Sequence, residues 1–62
     1  MENNNSYNLL NQLTQESKSL WRIKNVYMAE AETDELKEFW NTLALQKEQT
    51  IAELKKFIKE SL

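Results

Sequence analysis

The sequence predicts an all-α protein in which two helices form an antiparallel hairpin, and three observations support this prediction. Glycine and proline are absent from the 62 residues, so the usual helix breakers are missing. Apolar residues recur at alternating spacings of three and four, which places them along one face of a helix. The phase of this spacing changes once, between residues 30 and 34, as it would at a turn between two helices. We therefore expect a flexible tail over 1–5 and a single hairpin domain over 6–62.

The first helix is predicted over residues 6–31. Its apolar seam consists of Leu9, Leu13, Leu20, Ile23 and Tyr27. The step between Leu13 and Leu20 falls on Glu16, so one charged residue interrupts the middle of a heptad-like seam. Asn5 or Ser6 is a suitable N-cap, because a short polar side chain can accept a hydrogen bond from the first turn.

The second helix is predicted over residues 34–61. Continuing the register of the first seam would place polar residues on the apolar face, at Asp34, Lys37, Asn41 and Glu48. The apolar series runs instead through Leu36, Trp40, Leu43, Leu54 and Phe57, broadened by Phe39, Ile51 and Ile58. This change of phase is the main reason for placing a turn between the helices.

The ends of the second helix carry the charges that a helix dipole favours. Thr33 or Asp34 can act as N-cap, and Asp34 and Glu35 then lie in the first turn. Lysines occupy the last turns, at Lys55, Lys56 and Lys59. We therefore expect the turn at about residues 30–34.

Self-association is expected because a hairpin of two helices buries only one stripe of each. Ordering some 60 residues costs on the order of 90 kcal/mol, and the chain has no cysteine to form a disulfide. Pairing of two hairpins into a four-helix bundle would cover the remaining apolar surface, so we predict a homodimer. A tetramer or a helical protein partner is the alternative. The residues assigned to the core or the dimer interface are Leu13, Leu20, Trp21, Ile23, Tyr27, Leu36, Phe39, Trp40, Leu43, Ile51, Leu54, Phe57 and Ile58.

A polar layer is predicted in the middle of the hairpin. Glu16 lies about sixteen residues before the turn, so residues near 47–50 should lie at its level on the second helix. A lone buried carboxylate is costly, and Lys47 with the hydroxyl of Thr50 could pair with it. We expect the layer of Glu16, Lys47 and Thr50 to set register and oligomeric state. In the alternative, Glu16 lies at the edge of the seam and reaches solvent.

The stretch from Tyr27 to Ala44 resembles the helix-turn-helix of rubrerythrin-type ferritin-like proteins. In that family a Leu-Ala pair precedes a Glu-x-x-His metal motif, and in this chain the motif positions fall on Lys47 and Thr50. Glu16 falls near the place of the family's first-helix carboxylate. The resemblance therefore implies a half-length ferritin-like hairpin, of unassigned function, that lacks these metal ligands.

Several classes of function are excluded or disfavoured by composition. Without cysteine and histidine the chain has no thiolate nucleophile and lacks the usual general base and zinc ligands. Without glycine it cannot build a phosphate-binding loop. We therefore expect no enzyme activity and no cofactor. No apolar run approaches a membrane span, and Met1–Asn5 lacks the features of a signal peptide, so a cytoplasmic location is expected.

The favoured function is a non-catalytic interaction or structural module with an accessory or regulatory role. One alternative is an RNA-binding hairpin dimer that uses Lys18, Arg22 and Lys24, although the net charge of −2 makes nucleic acid an unfavourable partner. A second alternative is a metal site made of carboxylates alone and shared between subunits. Glu16 would form it together with Glu30, Glu48 or Glu53.

Overall fold

The computed structural model describes residues 4–61 as a hairpin of two antiparallel helical arms. The elements are α1 (Asn4–Arg22), a π-helical segment (Ile23–Tyr27), α2 (Met28–Glu30) and α3 (Asp34–Ser61). The described part of the chain is all-helical, without a strand, and measures 50 × 15 × 12 Å. The predicted all-α hairpin is confirmed.

The first arm consists of α1, the π segment and α2, which follow one another with helical backbone throughout. It begins at Asn4, two residues before the predicted start, so Asn5 and Ser6 lie inside the helix and are not its cap. At this open end of the hairpin the hydroxyl oxygens of Ser6 and Ser61 are 3.1 Å apart. Of the predicted tail 1–5, residues 4 and 5 are helical, and residues 1–3 lie outside the described residues.

The turn between the arms lies where the change of phase predicts it. Ala31 leaves the helix with extended backbone (φ −65°, ψ 130°), and no described residue has positive φ, so the turn needs no glycine. Thr33 Oγ1 accepts a hydrogen bond from the backbone N–H of Leu36 at 3.1 Å, and the Thr33 carbonyl accepts one from Lys37 at 3.0 Å. Thr33 is therefore the N-cap of α3, and the predicted bounds 34–61 are confirmed.

The π segment is a feature that the sequence pattern does not predict. A π-helix closes each turn with one extra residue, and here the N–H of Met28 bonds the carbonyl of Ile23, five residues earlier. The side-chain amide of Asn25 donates to the carbonyl of Trp21 at 2.9 Å. This carbonyl therefore has a hydrogen-bond partner next to the point where the backbone hydrogen bonds change from the α to the π pattern. At the last residue of this segment the Tyr27 ring packs 4.9 Å from the Trp40 ring.

The hairpin seam buries few side chains completely. Within residues 4–61 the buried apolar side chains are Ile23, 1% exposed, and Ala44, 2% exposed. The half-buried members of the predicted core are Leu13, Leu20, Trp40, Leu43, Ile51, Leu54 and Ile58. Trp21, Tyr27, Leu36, Phe39 and Phe57 are exposed in the single chain, so they are not part of the hairpin's own core, and their assignment to a dimer interface stays a prediction.

These apolar side chains stay exposed because two packed helices, like two cylinders, touch along one line. An apolar stripe wider than that line remains partly uncovered. Ala44 was missed, although it lies four residues after Trp40 and three before Lys47, at the spacing of the seam. In residues 4–61, no helix combines the length and hydropathy needed to cross a bilayer.

Candidate functional site

An ion pair joins the two arms near the middle of the hairpin. Lys47 Nζ on α3 lies 2.8 Å from Glu16 Oε1 on α1, with the two side chains 25% and 15% exposed. The side-chain amide of Gln12, one turn earlier on α1, donates to Glu16 Oε2 at 2.7 Å. Both carboxylate oxygens of Glu16 are therefore hydrogen-bonded, as a half-buried carboxylate requires.

The electrostatics of this pair favour the ionised carboxylate. The hydrogen bond from Lys47 is the largest influence and lowers the pKa of Glu16 below its ordinary value. Burial opposes this by raising the pKa, while the Gln12 amide and the positive charge of Lys47 lower it further. Glu16 is therefore an anion at neutral pH, and the contact is a salt bridge within one chain.

Thr50 does not take part in the layer that the sequence predicts. It is exposed, because three residues after Lys47 the helix has turned about 60° away from the position of Lys47. Gln12 takes the place assigned to Thr50 as the neutral partner of the carboxylate. The signal for Gln12 was present in the sequence, since a glutamine four residues before a glutamate lies on the same helix face.

A second ion pair links the arms on one side of the hairpin. Lys24 Nζ donates to Glu48 Oε2 at 2.6 Å, and both side chains are exposed. Lys24 belongs to the predicted RNA-binding face with Lys18 and Arg22, and its charge is compensated by this contact. The pair weakens the basic character of that face.

The carboxylates proposed as a metal site are not assembled in one chain. Among residues 4–61, no group of three or more acidic side chains is placed to hold a metal ion. Glu16 and Glu48 each contact a lysine. A set shared between two chains stays a prediction.

Large apolar side chains form two exposed stripes. The α1 stripe is defined by Tyr7, Leu10 and Trp21, and the α3 stripe by Leu36, Phe39 and Phe57. Their exposed fractions range from 41% to 64%, so neither stripe is covered by the hairpin itself. Exposed large apolar side chains that share one face of a helix are typical of an interaction site.

The two stripes lie on opposite sides of the hairpin, and the Lys24–Glu48 pair shows this. Phe39 and Phe57 are each nine residues from Glu48, about two and a half turns, so they lie on the far side of α3 from it. Trp21 lies three residues before Lys24 and on the same face of the first arm. The α1 stripe is therefore on the side of the ion pair, and the α3 stripe is on the other.

Two open pockets border the α3 stripe. The larger, about 400 Å³, lies beside the start of α3 and is lined by Asp34, Glu35, Glu38, Phe39 and Thr42. The smaller, about 170 Å³, lies at the turn and is lined by Tyr27, Glu30, Ala31, Leu36 and Trp40. The smaller pocket is below the range of roughly 300–1,000 Å³ that holds small-molecule ligands, and the larger combines an exposed aromatic ring with three carboxyl groups.

Comparisons of the chain with protein-family models, curated proteins and solved structures found no match. The site itself therefore supplies the argument for function: an internal ion pair and two uncovered apolar stripes.

Proposed function

We propose that the chain is a non-catalytic helical interaction module that self-associates as a homodimer of four helices. One observation supports this above the others. In the described residues the hairpin buries only Ile23 and Ala44 fully, while the six large side chains of the two stripes remain exposed.

The free energy of burial favours a partner for these side chains. Fully burying one large apolar side chain contributes about 1.5–3 kcal/mol, so three of them on one stripe contribute several kcal/mol. A hairpin of this length has a small core and gains proportionally much from association. A second copy is the simplest partner, because it is present wherever the chain is present and closes with two-fold symmetry.

The ion pair of Glu16 and Lys47 has a supporting role in this proposal. Sliding one arm by a turn would move the two groups about 5 Å apart and leave a half-buried charge unpaired. The pair therefore fixes the register of α1 against α3, and with it the position of each stripe. The accessory or regulatory role and the ferritin-like resemblance remain parts of the proposal.

Sedimentation velocity combined with multi-angle light scattering tests this function. The measurement covers a hundredfold range of concentration around micromolar. We expect a species of twice the mass of one chain, in exchange with monomer at the dilute end. A chain that has the monomer mass at every concentration and is still cooperatively folded would contradict the proposal.

A further inference from the structure

The ion-pair side of the hairpin, on which Lys24 contacts Glu48, carries the α1 stripe. We propose that the second copy docks on this side about a two-fold axis perpendicular to the helices, with α1 antiparallel to the partner's α1 and α3 antiparallel to the partner's α3. The axis lies between Gln15 and Glu16 on α1 and at the level of Thr50 on α3. This inference rests on the proposed self-association and adds the face, the direction and the register of the contact.

Each arm has a second face, offset by one residue from the seam between the arms. Every member directly follows a residue that the hairpin buries or half-buries. One residue is about 100° of rotation, close to the quarter turn between the two neighbours of a helix in a four-helix bundle. Lys24 and Glu48 belong to these faces, so both faces lie on the ion-pair side. The members are Tyr7, Leu10, Thr14, Ser17, Trp21 and Lys24 on the first arm, and Asn41, Leu45, Glu48, Ala52, Lys55 and Lys59 on α3.

The spacing along the first arm forms apolar layers in the proposed register. Its face alternates steps of three and four residues, and antiparallel helices pack such positions against each other in layers. Leu10 and Trp21 lie equally far before and after the axis, so each Leu10 faces Trp21 of the partner subunit. Thr14 and Ser17 face each other next to the axis, where their small side chains allow a close approach. Two exposed Leu–Trp pairs are therefore covered in each dimer.

Charge complementarity on α3 selects the antiparallel direction. On the ion-pair side of this helix Glu38 and Glu48 lie before the axis level at Thr50, and Lys55 and Lys59 lie after it. Lys59 is then level with position 41 of the partner, one turn from the partner's Glu38. Lys55 is level with position 45, one turn from the partner's Glu48. A parallel arrangement would place acid beside acid and lysine beside lysine, which is unfavourable.

Contacts between the arms show that one axis can serve both helices. Counted from the Glu16–Lys47 pair, the axis position on α1 is level with a point just after Lys47 on α3. Counted from the contact between the two serines at the open end, it is level with a point just after residue 51. Thr50 lies between these two points. The layers on α1 and the charge pairs on α3 can therefore form together.

The opposite side of the hairpin fits a second copy less well. It carries the α3 stripe, but the first arm offers no apolar partner for it there. The residues that directly precede the seam positions of this arm are all polar, namely Asn8, Gln12, Gln15, Ser19 and Arg22. On the ion-pair side, by contrast, both arms contribute exposed apolar side chains, since Leu45 of α3 is 58% exposed.

A two-fold axis parallel to the helices would stack α1 on the partner's α3 instead. Lys55 and Lys59 of the partner subunit would then lie against Leu10 and Tyr7. The only acid of α1, Glu16, lies in the seam and is paired within its own chain. The two lysines would gain no acid from α1, so charge complementarity favours the perpendicular axis.

Truncation of large side chains tests which side is covered. Leu10→Ala and Trp21→Ala should each raise the dimer dissociation constant at least about tenfold in sedimentation velocity, because each change affects two layers per dimer. Phe57→Ala removes a comparably exposed ring from the opposite side and is the matched control, with an expected change below about twofold. Circular dichroism verifies that each variant keeps its helix content.

Cysteine pairing tests direction and register in a chain that has no cysteine of its own. Thr14→Cys and Ser17→Cys variants are mixed in equal amounts, equilibrated in a glutathione redox buffer and analysed by mass spectrometry. The proposed register places residue 14 of one chain against residue 17 of the other, so the mixed disulfide should exceed the half share of random pairing. A parallel dimer, or α1 stacked on the partner's α3, would keep the mixed disulfide at or below that share.

The outcomes separate this inference from the function on which it rests. A monomeric wild-type chain would overturn both. A dimer that is weakened by Phe57→Ala and unaffected by Leu10→Ala and Trp21→Ala would leave the function standing and overturn the inference. If the variants of the α1 stripe lose helix content, the cysteine pairing decides, and a mixed disulfide at or below its random share contradicts the proposed register.

Discussion

The closed end of the hairpin, next to the turn, is packed differently from the open end. At the closed end Ile23 and Ala44 are buried, the Tyr27 and Trp40 rings are 4.9 Å apart, and the Thr33 cap fixes the start of α3. The Phe39 ring adds an edge contact to Trp40, with centroids 5.2 Å apart.

Towards the open end the described residues include no fully buried side chain. Ser6 and Ser61 approach each other there through their hydroxyl groups, while Tyr7 and Phe57 remain exposed. The difference teaches that complete burial of side chains is confined to the half of the hairpin nearer the turn. Towards the open end the arms pack through half-buried side chains, such as Leu13, Leu54 and Ile58, together with the mid-hairpin ion pair.

The largest expected effect comes from truncating a buried side chain in the half of the hairpin nearer the turn. Ile23→Ala should lower the free energy of unfolding by about 2–4 kcal/mol, because it removes a fully buried side chain and leaves a cavity. Phe57→Ala, at an exposed position towards the open end, should cost less than about 1.5 kcal/mol, because only about half of its side chain is covered. Urea unfolding of both variants measures how much free energy of unfolding each substitution removes. Equal losses of this free energy would show that the two ends are packed alike.

An intermediate effect is expected at the caps. Thr33→Ala should destabilise the chain by about 1 kcal/mol, since the N–H of Leu36 loses its side-chain acceptor. Thr33→Ser keeps the hydroxyl and should retain most of the stability. Ser6→Ala at the open end is the matched control, and thermal unfolding should show a smaller shift for it than for Thr33→Ala. A larger shift for Ser6→Ala would reverse the comparison.

The smallest expected effect is at the Glu16–Lys47 pair, which lies near the middle of the hairpin between its two ends. The pKa of Glu16 is lowered in the folded chain, so the unfolded chain binds the extra proton first as the pH falls. The stabilisation is therefore complete above 4.5, the ordinary value for this group, and is lost as the pH falls through the folded-state pKa.

Glu16→Gln is the variant that isolates this contribution. The difference in unfolding free energy between wild type and E16Q should be present at pH 7 and should shrink at pH 3. Urea midpoints at the two pH values give the difference directly. A difference that is the same at both would mean that the ion pair does not contribute through the charge of Glu16.

Much of the fold follows from the sequence because helix phase and capping are local properties. The change of phase located the turn, and Thr33 caps α3 where the sequence places a polar residue before two acids. Counting residues outward from the turn put Glu16 and Lys47 at one level, and the structure brings them 2.8 Å apart.

Other features could not be read from the pattern. The π segment leaves the three-and-four spacing of Ile23 and Tyr27 unchanged in the sequence, so only the backbone hydrogen bonds reveal it. The exposure of Trp21, Phe39 and Phe57 was also not predictable. An apolar stripe indicates that a side chain will be covered, but its spacing is the same whether the cover is the other arm or a second chain.

Thermal unfolding as a function of chain concentration tests the central claim, self-association of the hairpin, most directly. If folding and dimerisation are coupled, the midpoint temperature should rise steadily over a hundredfold increase in concentration, and Trp21→Ala should lower the midpoint at each concentration. A cooperative transition whose midpoint does not depend on concentration would contradict the account, because it would show that one hairpin is stable with both of its stripes uncovered.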